Sequence, residues 1–376
     1  MCSDNYSFPL AHRRRADISG GTRALHSPSK YPKMPRGKHN LNSPGKGWYM
    51  GVSGRATRVL WLGLVLALAV AANGAENKDT GKCMMWEARS SAGTVYLLGS
   101  LHFGSDALYP LNPVVDDAYA KSDTLVLEMN MDMATQLEAL ALIQQAGMYK
   151  DGKTLSSDLS EGESTKLAAF LKERGMALAQ FESMKPWLTM MMLTVREMVR
   201  LGYTPQLGLD MHFYEKASAS GKPVVGLETA EEQVKTLSDA SATILTKELM
   251  EFVDEAPKTK EIYGTFEAAW KSGDPAAMNR ALEEDMSKDP EVRDWYGKLI
   301  DGRNVCLADR IANLVSEGKK CFVIVGSAHL VTDKSILKLL EAKGFTVTQV
   351  EKKPVPKTAD VSSTEPALES TAPAGK

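Results

Sequence analysis

The sequence predicts an α/β fold in which a mixed or mostly parallel central sheet carries a large helical insertion. Short apolar runs bounded by turn residues alternate with segments of helical periodicity, as in proteins built from strand–helix–strand units. Two of the apolar runs also end in the same motif, Gly-x-x-His, in VYLLGSLHFG at 95–104 and in CFVIVGSAHL at 321–330. With 376 residues, of which 43% are hydrophobic, the chain can bury a sizeable core.

The first half of the predicted domain begins with the strand at 95–104. A short helix that opens with proline follows at 113–123, and TLVLEMN at 124–130 is the next strand. Such a crossover predicts parallel neighbouring strands. From 131 to about 202 the pattern is helical, and the methionine run at 190–192 is interpreted as core filling on a buried helix.

The second half repeats this alternation. PVVGL forms a short strand with Glu228 at its tip, and residues 229–320 are mostly helical. A turn interrupts them at 271–277, where Asp274 is expected to cap the helix that opens at Pro275. The strand CFVIVG follows, and DKSILKLLEAKG and FTVTQVE form a closing helix and strand.

The chain ends are predicted to lie outside this domain, which we assign to residues 76–353. Residues 1–49 lack hydrophobic periodicity and are expected to be a disordered leader from an over-long start, with Met50 as the true start. Residues 50–75 have the layout of a secretory signal, two arginines before an apolar run and then small residues. A periplasmic or secreted protein is expected, or a membrane-anchored one if this segment is uncleaved. The tail at 354–376 is expected to be disordered.

The charge distribution argues against a nucleic-acid-binding protein. Residues 1–75 contain 11 of the 45 Lys and Arg residues but 2 of the 47 Asp and Glu residues, so the remainder carries 34 basic against 45 acidic residues. An acidic body without a basic stripe cannot neutralise phosphates. Membrane contact is expected through the signal segment alone. Cys83, Cys306 and Cys321 allow at most one disulfide within the domain, for which Cys306 with Cys321 is the candidate pair, and buried free thiols are the alternative.

Polar residues follow four of the predicted strands. They are His102, Glu128, Glu228 and His329. The carboxyl ends of parallel strands lie along one edge of a sheet, where open α/β sheets bind ligands, so we expect these four side chains to converge. Imidazole and carboxylate groups together are the ligands of catalytic zinc, manganese or iron sites. The glycine of each Gly-x-x-His motif permits a tight turn or a close backbone approach that aims the histidine over the sheet edge.

Structural interpretations remain open for several of these residues. A single Gly-x-x-His motif is weak, since one histidine alone is more often a hydrogen-bonded core residue. Glu128 could cap a helix or pair with a basic residue, and Glu228 could lie in the first turn of a helix. His212 is interpreted as a structural residue beside two aromatic rings. Arg303 could stabilise a developing oxyanion or form a surface salt bridge.

Together these motifs resemble the TraB/GumN family, which is related to the Tiki extracellular proteases and more distantly to ChaN-like and erythromycin-esterase-like proteins. The resemblance covers about 83–350. Its stretches are VYLLGSLHFG, 108–113, TLVLEM, KPW at 185–187, GLD at 208–210, GKPVVGLETAEEQ at 221–233, Trp270 with 273–274, RN at 303–304, and FVIVGSAHL. The resemblance implies an α/β fold with paired Gly-x-x-His motifs. For the Tiki branch it implies a metal-dependent peptidase, with His102, His329 and Glu128 as the metal ligands.

Three functional hypotheses follow from the sequence. The first is an exported metal-dependent hydrolase of peptides or small molecules, in which a divalent ion (manganese, cobalt or zinc) is held by His102, Glu128 and His329. In this hypothesis Glu228 is the general base. The second is a metal-free, esterase-like hydrolase with His102 as the base and Arg303 as its electrostatic partner. The third is a non-catalytic envelope protein that binds haem, another ligand or a protein partner in the same crevice.

Overall fold

The computed structural model describes residues 78–150, 152–286 and 289–354. The predicted leader, the signal segment and the tail beyond residue 354 lie outside the described residues. Within this part of the chain, the fold is α/β with a six-stranded mixed sheet that is mostly parallel, as predicted. No helix among the described residues is long and apolar enough to cross a membrane.

The sheet has the strand order β4-β3-β5-β2-β1-β6. The strands are β1 (Lys82–Arg89), β2 (Thr94–Ser100), β3 (Thr124–Met129), β4 (Val224–Glu228), β5 (Cys321–Gly326) and β6 (Thr346–Glu351). β2, β5, β3 and β4 run parallel to one another, whereas β1 is antiparallel to both β2 and β6. The carboxyl ends of the four parallel strands therefore share one edge of the sheet.

Thirteen α-helices lie in the described residues. They are α1 (Pro113–Lys121), α2 (Met133–Gly147), α3 (Glu161–Glu173), α4 (Pro186–Arg200), α5 (Leu209–Ser220), α6 (Ala230–Ser238), α7 (Ala242–Glu255), α8 (Thr259–Ser272), α9 (Pro275–Asp285), α10 (Pro290–Gly297), α11 (Arg303–Ser316), α12 (Ala328–Val331) and α13 (Ile336–Ala342). The predicted helical stretches at 131–202 and 229–320 are confirmed. Asp274 caps α9 as expected, since its side chain accepts from the N–H groups of Ala276 and Ala277.

Two hydrophobic cores cover the two faces of the sheet. Alternate residues of β1 contribute to opposite cores, with Met84 and Trp86 on one face and Cys83 and Met85 on the other. β1 was not predicted, because a strand that is buried on both faces lacks the alternation of polar and apolar residues that marks a half-exposed strand. The helices α2 to α4, α6, α7 and α10 contribute most of two further cores beside the sheet.

The crossover prediction is partly wrong. β2 and β3 are parallel, but β5 lies between them and pairs with both. A helix as long as α1 can connect two parallel strands that are direct neighbours or that have one strand between them. Local periodicity does not indicate which of these two arrangements forms. Because β5 lies between β2 and β3, the two strands that end in Gly-x-x-His, β2 and β5, are neighbours.

The candidate disulfide between Cys306 and Cys321 is not formed. Cys321 and Cys83 are both buried free thiols. Burial raises the pKa of Cys83 to about 11 and that of Cys321 to about 12, so both thiols are protonated at neutral pH. For these two cysteines the alternative interpretation, packing as small apolar residues, is confirmed.

Candidate functional site

The four polar residues predicted at the strand ends do converge at the carboxyl edge of the sheet. Glu128 Oε1 lies 3.9 Å from His102 Nε2 and 3.8 Å from His329 Nε2. The other oxygen of this carboxylate, Oε2, accepts a hydrogen bond of 2.6 Å from Arg303 Nη2. Both histidines therefore direct the same ring nitrogen, Nε2, toward one carboxylate oxygen.

Glycine at position 326 makes this convergence sterically possible. A Cβ atom at Gly326 would lie 3.0 Å from His102 Nε2 and 3.4 Å from Glu128 Oε1. The backbone N–H of Gly326 also donates to Glu128 Oε1 at 2.7 Å. Gly99 is crowded as well, since its Cβ would lie 2.8 Å from Ser327 Oγ. Of the two roles expected for these glycines, close approach is the one that both fulfil, because neither has a positive φ.

The imidazole of His329 is oriented by Asn304, the first residue after Arg303. Asn304 is fully buried, and its Nδ2 donates to the carbonyl of Lys334 at 2.9 Å. Its Oδ1 is then left as an acceptor, 2.6 Å from His329 Nδ1. This arrangement assigns the proton to Nδ1 and leaves Nε2 of His329 with its lone pair directed at Glu128 and Arg303.

Asp210 performs the corresponding role for His102. Its Oδ2 lies 2.9 Å from His102 Nδ1 and also accepts a hydrogen bond from the buried Ser100 hydroxyl. The backbone N–H of Leu209 donates to the carbonyl of Leu101 at 3.2 Å, which seats the start of α5 against the segment after β2. A Cβ at Gly208 would lie 2.1 Å from the His102 carbonyl oxygen, so only glycine permits this contact.

Arg303 joins the two glutamates of the site. Its Nε donates to Glu228 Oε1 at 2.9 Å, and its Nη2 donates to Glu228 Oε2 as well as to Glu128. With a side chain only 16% exposed, Arg303 forms a buried ion-pair network rather than the alternative surface salt bridge. A π-helical turn, Lys298–Gly302, delivers it from α10 to the start of α11, and such turns are frequent at functional sites.

The electrostatic surroundings separate the two histidines. Burial lowers the pKa of His102, but the charge of Asp210 and its hydrogen bond outweigh burial and raise that pKa to about 9. Burial, together with the nearby Arg303 charge, lowers the pKa of His329 to about 3, despite the opposing effect of Glu128. Burial opposes ionisation of Glu128, but Arg303 more than compensates and holds its pKa well below the usual range. With these pKa values His102 is protonated and His329 is neutral at neutral pH.

A cavity of about 300 Å³ opens beside this cluster. Its polar end is formed by the cluster, and the rest of its wall is mainly apolar. The polar residues of the cluster that line it are His102, Glu128, Asp210, Arg303 and His329. Glu228 is not among the described residues that line the cavity. It contacts Arg303, which does line it. Met190 is buried, and Met191 and Met192 are partly buried against one of the cores beside the sheet, which agrees with the core-filling interpretation of the methionine run. Met191 and Met192 also line the cavity.

His212 does not take part in the cluster. Its ring contacts those of Tyr109 and Phe213, with centroid distances of 5.0 and 4.9 Å. Burial lowers its pKa, which is the behaviour of a neutral ring packed among apolar groups. The structural interpretation of this residue therefore agrees with its position.

Asp210 and Asn304 were not predicted to take part in the site. Both belong to short stretches that carry the family resemblance, GLD and RN, and this is the signal that could have singled them out. Their contacts with the histidines join residues 108 and 25 positions apart. No periodicity in the sequence indicates such pairs.

Residues 84–349 match the family model described as the TraB/PrgY/gumN family. This match covers well over half of the chain. The chain belongs to the TraB/PrgY/gumN family. The TraB/PrgY/gumN match includes every residue of the cluster, from β2 to α12.

Relatives of this TraB/PrgY/gumN protein include the uncharacterized protein YbaP of Escherichia coli strain K12. The two are 23% identical over 248 residues, which are 65% of this chain and 87% of YbaP. An uncharacterized protein of Treponema pallidum strain Nichols is 22% identical over 274 residues, which are 69% of this chain and 80% of that protein. No solved structure matches the chain. The comparisons therefore establish the family and assign no reaction.

Proposed function

We propose that this protein is an exported hydrolase that cleaves peptides with the help of a divalent metal ion held by His102, Glu128 and His329. One observation carries the proposal. Both histidines present Nε2 to the same oxygen of Glu128, while Asp210 and Asn304 hold their Nδ1 atoms. Histidines that bind metals characteristically donate their other ring N–H to a carboxylate or a carbonyl oxygen in this way.

The donor atoms are compatible with such an ion. Two atoms that each lie about 2.1 Å from one ion can be at most about 4.2 Å apart, and tetrahedral ligation requires about 3.4 Å. The observed separations of 3.9 and 3.8 Å fall between these values. Among the described residues no group of three His, Cys, Asp or Glu side chains is already drawn together as a metal site. Binding of an ion would therefore require the three side chains to close by a few tenths of an ångström.

A bound divalent ion would acidify a water molecule and polarise a substrate carbonyl. The residues around it would orient the reactants. Arg303, held by Glu228, directs Nη1 to within 3.4 Å of His329 Nε2 and can donate to the substrate oxygen as negative charge develops there. Glu228 was expected to be the general base. Because its carboxylate accepts three hydrogen bonds from Arg303, the proposal assigns it the positioning of Arg303 instead.

The reaction itself is ordinary peptide hydrolysis. The water oxygen forms a bond to the carbonyl carbon, the C–N bond breaks, and the proton lost by the water ends on the leaving amine. The apolar wall of the cavity reduces the access of bulk water, which strengthens the electrostatic contribution of Arg303. Export is supported by the signal-like pattern at 50–75.

Metal analysis of the purified protein tests this proposal. We expect about one divalent ion per chain, loss of peptide hydrolysis on dialysis against a strong chelator, and recovery with manganese, cobalt or zinc. The double variant His102→Ala, His329→Ala should lose both ion and activity, whereas His212→Gln should keep both. Circular dichroism would show that the double variant is folded, and His329→Gln alone provides a milder second variant. Hydrolysis by a folded double variant would refute the site.

A second candidate is a metal-free hydrolase, favoured by the contact between His102 and Asp210. This contact raises the pKa of His102 to about 9, so the protonated ring can donate a proton to the leaving amine instead of acting as the base that the sequence suggested, while Arg303 stabilises the oxyanion. Hydrolysis that persists after complete removal of metal would select this candidate over the first.

A further inference from the structure

Most of the wall of the cavity beside the cluster is apolar. Five methionines line it, together with aliphatic and aromatic side chains. The methionines are Met129, Met131, Met191, Met192 and Met278. Methionine side chains are unbranched and polarizable, so such a wall adapts to apolar groups of different shape. A volume of about 300 Å³ is at the small end of ligand sites, suited to one or two side chains.

One arginine that lines the cavity, Arg196, takes no part in the ion-pair network of Arg303 with Glu128 and Glu228. Arg196 is exposed, lies on α4, and lines the cavity with Met191, Met192 and Val195 on the same helix face. The charged residues at the polar end of the cavity are engaged with one another. Arg196, by contrast, has neither an ion pair nor a side-chain hydrogen bond within the part of the chain that the structure describes. Its guanidinium is therefore available to an anionic group of a bound molecule.

We propose that Arg196 binds the terminal carboxylate of a peptide whose last residue has a large apolar side chain, and that this side chain packs against the methionine wall. This inference rests on the proposed function, because it makes the substrate a peptide that is cleaved near its carboxyl end. A guanidinium forms two parallel hydrogen bonds with a carboxylate. The adaptable wall predicts tolerance among leucine, phenylalanine and methionine, and discrimination against small polar residues.

A short peptide fits these features better than a long acyl chain does. The catalytic cluster and Arg196 line one small cavity, so the cleaved bond and the carboxylate must be close to each other in the substrate. The terminal residue of a peptide meets this requirement, because one residue separates its carboxylate from the preceding peptide bond. A fatty acid presents a carboxylate and an apolar chain, but it has no such bond.

Binding of a matched set of peptides to the inactive double variant His102→Ala, His329→Ala tests the inference without turnover. The probes are acetyl-Ala-Ala-Leu with a free carboxylate, its carboxamide, and acetyl-Ala-Ala-Ser with a free carboxylate, with decanoate as the fatty-acid arm. Isothermal titration calorimetry should show the leucine acid binding about tenfold more tightly than its amide and more tightly than the serine peptide. Adding Arg196→Gln should abolish the preference for the acid.

Arg280→Gln is the matched control, since Arg280 is 60% exposed on α9 and is not among the described residues that line the cavity. It should leave the preference for the acid intact. Equal affinity for acid and amide, or tighter Arg196-dependent binding of decanoate than of the leucine peptide, would overturn the inference. Peptide cleavage by the wild-type protein under either result would leave the proposed function standing. Conversely, Arg196-dependent recognition of the acid without cleavage by the wild type would support the inference and count against the proposed reaction.

Discussion

The Nδ1 atom of His102 lies 2.9 Å from Oδ2 of Asp210, although 108 positions separate the two residues in the chain. This contact orients the ring so that Nε2 faces Glu128. It depends on the close seating of Gly208 against the His102 carbonyl, which brings the first turn of α5 to the end of β2. Asp210 is thus a positioning residue in our proposal, and its effect should be measurable in the ion as well as in the rate.

Asp210→Asn should weaken metal binding and hydrolysis by about 10- to 100-fold, the usual cost of losing a partner that orients a ligand histidine. The amide can no longer supply a charged acceptor, and its NH₂ group can present itself to Nδ1 and disfavour the required tautomer. Metal titration and kcat/KM of the same preparations would measure both effects. Asp116→Asn is the control, because Asp116 pairs with Lys216 on the surface. Unchanged metal affinity in Asp210→Asn would contradict the positioning role.

Gly326→Ala should impair the site more than the fold. The new methyl group would stand 3.0 Å from His102 Nε2 and force the ring away from Glu128, with a stability cost of about 1–3 kcal/mol. We expect a large loss of activity and of bound ion in a protein that still unfolds cooperatively. Gly162→Ala is the matched control, since a Cβ there meets nothing within 4 Å. Full activity in Gly326→Ala would show that this close approach is irrelevant to function.

Arg303→Met should lower the free energy of unfolding by about 3–5 kcal/mol, because it leaves two carboxylates buried beside each other without their cation. Urea denaturation followed by circular dichroism measures this loss. Adding Glu228→Gln to the variant should recover part of it, since one buried charge is then removed. Arg293→Met changes a surface pair with Glu283 instead, and it should cost less than about 1 kcal/mol. Equal effects of the two arginine substitutions would argue against a buried network.

Glu248 should make the protein less stable as the pH rises. It is fully buried, its Oε2 accepts from the Tyr296 hydroxyl, and its Oε1 has no hydrogen-bond partner among the described residues. Burial raises the pKa of Glu248 to about 7, so the folded state holds this proton more tightly than the unfolded state does. The contribution of Glu248 to stability should therefore be greatest below about pH 4.5 and decline until about pH 7, by on the order of 3 kcal/mol.

Glu248→Gln should remove this decline, which chemical denaturation at pH 5 and pH 8 would reveal. Glu261→Gln, a change at an exposed position of α8, should leave the pH dependence as it is in the wild type. The comparison uses the slope of stability with pH, so a constant cost of the buried amide does not affect it. An identical slope in Glu248→Gln and the wild type would mean that Glu248 titrates normally.

Much of the fold could be predicted because its signals are local. β2, β3, β4 and β5 are marked by apolar runs and turn residues, and α9 by the proline after Asp274. β1 was missed because it is buried on both faces. The position of β5 between β2 and β3 was missed because strand order depends on contacts between segments about 200 residues apart.

The candidate site could also be predicted in part, because some of its residues are marked by local signals in the sequence. A strand end is a local feature, so His102, Glu128 and His329 could be expected at one edge once the strands were assumed parallel. Asp210 and Asn304 lie on helices, and their relation to the histidines arises from how those helices dock. Arg303 was expected to stabilise an oxyanion or to form a surface salt bridge. The structure buries it between two glutamates, which rules out the surface alternative only.

By itself the sequence determined the class of fold, the direction of the motif-bearing strands and the identity of the groups at their ends, since periodicity and turn chemistry are properties of neighbouring residues. The tertiary structure decided which strands are adjacent, which nitrogen each imidazole exposes, and which carboxylate Arg303 holds. Those choices depend on side chains meeting across the sheet at distances of a few ångströms. Packing of whole elements fixes such distances, and no local pattern of residues encodes them.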